Sequence, residues 1–118
     1  MTTAYVAAVL TLYLDLPDTP LRPSLLDQSL AHKLHEHAVP LPLVESALLL
    51  ATLRRLSRPS HLPPLPKIRS LSYFLPVIEE LQQQPLPDGY LEYLRLKLRK
   101  LSLPARPDVQ KNTFSDDR

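Results

Sequence analysis

The chain has no cysteine and no tryptophan, and only one glycine, Gly89, in 118 residues. Without cysteine there are no disulfides and no thiolate-held metal, which fits a reducing compartment and predicts a cytoplasmic location. With one glycine there is no glycine-rich phosphate loop, and no serine sits in a glycine-flanked nucleophile elbow. Valine, isoleucine, phenylalanine and tyrosine are few, so the residues that favour strands are scarce. Met1 to Leu16 carries an apolar run, but it has no basic n-region or small-residue cleavage site and reaches Asp15 too early for a span. It is expected to be a core helix, with no membrane partner.

What is abundant is leucine, 28 residues, and proline, 14 residues. Leucine forms helices readily, whereas proline cannot donate an N–H inside one and restrains the residue before it. The expectation is an all-α fold, a compact bundle of about five short helices joined by proline-rich turns. At this length the chain suits one core. A single helical domain is expected over 1–103, with a disordered tail over 104–118.

In order, Tyr5, Val6, Val9, Leu10, Leu12 and Tyr13 share a broad helical face, with Thr2 or Thr3 available as N-cap. Ser24 with Asp27 three residues on resembles a capping box, and Leu25, Leu26, Leu30 and Leu34 give the second helix its predicted buried stripe until Pro40. Pro42 suits the start of a third helix running to about Arg55. Val44, Ala47, Leu48, Ala51 and Leu56, widened by Leu49, Leu50 and Leu53, make that helix apolar on most of its circumference. Such a helix is central in its domain or covered by a partner. In Ile68–Leu81, Pro76 forbids one straight helix and favours a short turn over Ser70–Phe74, then a helix to about Gln84. Asp88 is the expected cap of a last helix from Tyr90 to Leu101, with Leu91, Leu94, Leu98 and Leu101 on one side.

Net charge of +2 names no partner, so the placement of charge matters more. Arg54, Arg55, Arg58, Lys67 and Arg69 have no acid between them, and neither do Arg95, Lys97, Arg99, Lys100 and Arg106. Brought to one surface, they would neutralise several phosphates, with Tyr90 and Tyr93 able to stack on unpaired bases. Arg54, Arg55, Arg58, Lys67, Arg69, Arg95, Lys97, Arg99 and Lys100 are the candidate nucleic-acid contacts. The alternative is a set of solvated helix faces with cations favourably placed near helix C-termini.

Two other clusters compete. His32, His35 and Glu36 lie within one helical turn, but one helix leaves a metal site incomplete and there is no HExxH arrangement, so no metal and no cofactor are expected. Leu62-Pro63-Pro64-Leu65-Pro66-Lys67-Ile68-Arg69 contains a PxxP core that could dock in an aromatic groove or be a stiff spacer packing its leucines on the fold. Ile68 stands where such a groove wants a basic residue. The carboxylates are mostly single, with Glu79, Glu80 and Glu92 read as the wet sides of helices, so no enzyme and no small-molecule substrate are expected.

Pro66 to Leu81, preceded by Val44 to Ala51 and Arg54-Arg55-Leu56, resembles a group of small uncharacterised bacterial proteins associated with mobile elements and replication genes. It is also more loosely similar to the helical module of DnaD-type replication proteins. The resemblance implies a compact helical fold and a nucleic-acid context, and no site residues. The expected function is that of a non-enzymatic accessory protein binding nucleic acid, a protein partner or both in replication or mobile-element maintenance. The rival expectation is a pure interaction module, or a homo-oligomer built on the third helix.

Overall fold

The computed structural model describes residues 3–102. Five α-helices and one 310 turn follow in order: α1 (Ala4–Leu14), α2 (Leu25–Glu36), α3 (Leu41–Leu56), the 310 turn Leu71–Phe74, α4 (Leu75–Gln83) and α5 (Tyr90–Ser102). No strand occurs among the described residues, and the fold is all-α. The predicted tail over 104–118 and Arg106 lie outside the described residues. Among those residues no helix is long and apolar enough to cross a membrane.

Local chemistry sets most of the boundaries. The Thr3 side chain accepts from the Val6 N–H to start α1, and Ser24 and Asp27 form the full reciprocal capping box that starts α2. The end of α2 is a Schellman motif, with the Val39 N–H donating to the Leu34 carbonyl and the Ala38 N–H to the His35 carbonyl. Ala38 stands there at φ 55, where glycine is usual. Pro42 and Pro76 occupy first-turn positions of α3 and α4, where the missing N–H leaves no bond unmade.

Helix α3 is the centre of the fold. It packs against α1, α4, α5 and the 310 turn, and buries Val44, Ser46, Ala47, Leu48, Leu49, Ala51, Thr52 and Leu53. Its two buried hydroxyls turn back to the helix, Ser46 donating to the Pro42 carbonyl and Thr52 to the Leu48 carbonyl, both at 2.8 Å. Most of the apolar circumference of α3 is thus covered by its own chain, with Leu41, Leu43 and Leu50 partly covered.

The buried stripe of α2 differs from the expectation. Leu25 and Leu26 face solvent, and Asp27, Ala31 and Leu34 are the residues turned inward, with Leu30 partly covered. The cause is the Asp27 carboxylate, fully buried. One oxygen accepts from the Ser24 N–H and the other from the Leu71 N–H, 44 positions away, so the capping box also anchors the 310 turn. Leu101, expected on the inner side of α5, and Leu56, at the end of α3, are exposed as well, whereas Leu94 is buried.

Candidate interaction surface

The C-terminal end of α3 carries Arg54, Arg55 and, one residue past it, Arg58. Three cations here oppose the partial negative charge of the helix end. Each also crosses to another element. Arg54 makes a two-pronged bond to Glu80 of α4, at 2.9 and 2.7 Å, and that bond holds the Glu80 carboxyl below its ordinary range. Arg55 donates to the Pro66 carbonyl at 2.7 Å, and to Asp18 and the Tyr73 hydroxyl at 3.4 Å, with its guanidinium 5.5 Å from the Tyr73 ring centre. Its side chain is only 8% exposed. Arg58 donates to the Pro63 carbonyl at 3.3 Å.

On α5, Arg95 grips both carboxylate oxygens of Glu45 in α3 at 2.8 Å and also pairs with Glu92. The Glu45 bond is the main reason its guanidinium holds its proton more tightly than usual. Four of the nine candidate nucleic-acid contacts, Arg54, Arg55, Arg58 and Arg95, are thus engaged inside the molecule. Lys67, Arg69, Lys97, Arg99 and Lys100 make no ion pair among the described residues. The sequence shows no acid within either basic segment, but folding delivers acids from 26, 37 and 50 positions away.

The two basic segments do meet. Arg54 and Lys97 line one shallow recess of about 230 Å³ with Ser57, Tyr90 and Tyr93. The two tyrosine rings lie 5.2 Å apart, and Tyr93 is half exposed. Around the end of α3 a second recess is lined by Arg54, Arg55, Arg58 and Tyr73. The His35 ring lies tilted against that of Tyr5, 4.9 Å between centres, and among the described residues no three metal-ligating side chains gather to hold an ion.

The proline-rich loop between α3 and the 310 turn is the longest run of exposed residues among those described. Every residue from Leu56 to Lys67 is exposed. Leu62 and Leu65 are 38% and 37% open, the rest of each being covered. Both line a recess of about 380 Å³ with Asp18, Arg55, Leu56 and Arg58. Ile68, the residue out of register for a groove-binding signal, is buried and its N–H donates to the Asp18 carbonyl. Composition announced this loop, but nothing in the spacing announced its two arginine contacts.

Large apolar side chains are also exposed just before and at the start of α2: Leu21 is 98%, Leu25 83% and Leu26 53% open. No protein-family model matches the chain, and neither a curated protein nor a solved structure matches it.

Proposed function

We propose that the chain is a non-enzymatic interaction module that works by binding protein surfaces, a second copy of itself being the simplest partner. The observation that carries this is the trio Leu21, Leu25 and Leu26, three leucines more than half open within six residues, whereas the other exposed large apolar side chains are each half open or less. Single exposed leucines are ordinary, but a cluster of them supplies the apolar centre that an interface needs. Sedimentation velocity across the micromolar range tests it. Association that weakens when all three are changed to serine supports the proposal; a monomer throughout, unaffected by the triple change, overturns it.

A second reading has its own support in the recess that brings Arg54 and Lys97 beside Tyr90 and Tyr93. With four arginines committed to internal bonds, Lys97, Arg99 and Lys100 are the cations of α5 left for phosphate. Binding to single-stranded DNA would then have a shallow salt dependence, since each neutralised phosphate adds about −0.7 to the slope. A salt titration in which no binding occurs even at low salt removes this reading. The replication or mobile-element setting is carried by sequence resemblance alone.

A further inference from the structure

The proline-rich loop is built in a way that a connection does not require. Pro59, Pro63, Pro64 and Pro66 fix their own φ angles and remove four N–H donors. Within 63–67 only Leu65 and Lys67 keep an N–H, and among the described residues neither is hydrogen-bonded, nor are the carbonyls of Pro64 and Leu65. The backbone there makes no helix or strand and leaves its polar groups open to a partner.

The same segment is nevertheless held. Arg58 takes the Pro63 carbonyl and Arg55 the Pro66 carbonyl, and Ile68 is tied to Asp18. The two carbonyls are three residues apart, one period of the polyproline II helix that such a run favours. The two arginines are also three apart, on one face of the α3 end. Leu62 and Leu65 are spaced by one such period, and each keeps a little over a third of its surface open, the rest lying against the recess beside Arg55 and Leu56.

We infer that Leu62–Pro66 is a preorganised polyproline II ligand, presented for docking into an aromatic-lined groove of another protein. Prolines and arginine contacts hold the segment before the partner arrives, which lowers the ordering penalty of binding. Lys67 and Arg69, exposed beside it, match a groove with an acidic rim. This rests on the interaction-module reading but uses a different surface from the leucines of α2.

The test titrates the full isotope-labelled chain with a panel of SH3, WW and EVH1 domains, observed by NMR. The expected result is micromolar binding by at least one domain, with shifts confined to residues 57–69. Leu65→Ala and Pro64→Ala should each weaken it roughly tenfold, with the resonances of α1 to α5 unshifted so that loss of the fold is not the cause. The triple change of Leu21, Leu25 and Leu26 should leave it intact. No shifts with any domain at millimolar concentration, or binding that survives both loop substitutions, overturns the inference. Self-association is read separately by sedimentation, so failure here leaves the leucine surface standing.

Discussion

Two adjacent stretches of chain have opposite fates. Residues 56–67 are exposed throughout, whereas Ile68, Leu71, Phe74, Ile78 and Leu81 in the next fourteen positions are all buried. Both begin from proline-broken, leucine-bearing sequence. The difference is where the backbone polar groups go. From the 310 turn onward they are met inside the fold, by Asp27 and by helical bonds; in the loop most are left to solvent. The second stretch supplies buried core and the first the proposed ligand, with Arg55 joining them.

Phe74→Ala should give the largest loss, about 3–5 kcal/mol by chemical denaturation, because a fully buried ring packed edge-on to Tyr13 at 5.9 Å leaves a cavity. A loss below about 1 kcal/mol would mean the buried stretch is not the stabilising one. Asp27→Ala should remove about 3 kcal/mol, since it strands the Ser24 and Leu71 N–H groups together. Hydrogen exchange should show the 310 turn opening with it.

Arg55→Ala addresses the junction. Loss of its bond to the Pro66 carbonyl should lower stability by about 1 kcal/mol. The sharper readout is faster hydrogen exchange at Ile68, whose N–H is bonded to the Asp18 carbonyl, with protection of α3 retained. If the loop is unchanged, Arg55 does not hold it.

Tyr13→Phe should have the smallest effect at neutral pH, because the Tyr13 hydroxyl is buried without a hydrogen-bond partner. Its signature is alkaline. Burial, with the Asp27 charge nearby, pushes the phenol up to about 12. The folded state therefore prefers the protonated phenol more than the unfolded chain does. That contribution is complete below about pH 10 and is lost between about pH 10 and 12. Alkaline denaturation of Tyr13→Phe should lack this component; an unchanged profile would place the phenol in contact with water.

Much of the fold was legible because its signals are short-ranged. Thr3, the Ser24–Asp27 box, Pro42 and Pro76 act on neighbours within a turn, so the break inside Ile68–Leu81 followed from Pro76 alone. The buried face of α2 keeps Leu34 and part of Leu30 but not Leu25 and Leu26, because periodicity counts apolar residues, whereas the helix is rotated by an aspartate bonded across the core. The basic segments looked unopposed because Glu80, Asp18 and Glu45 are distant in sequence.

By itself the sequence determined the class, the number of helices and most of their ends, since capping and proline geometry are settled by adjacent residues. The tertiary structure decided which charges are spent internally and which apolar groups stay open. Those outcomes depend on pairs tens of residues apart, such as Arg54 with Glu80 and Asp27 with Leu71, whose meeting is fixed only when α3 is covered.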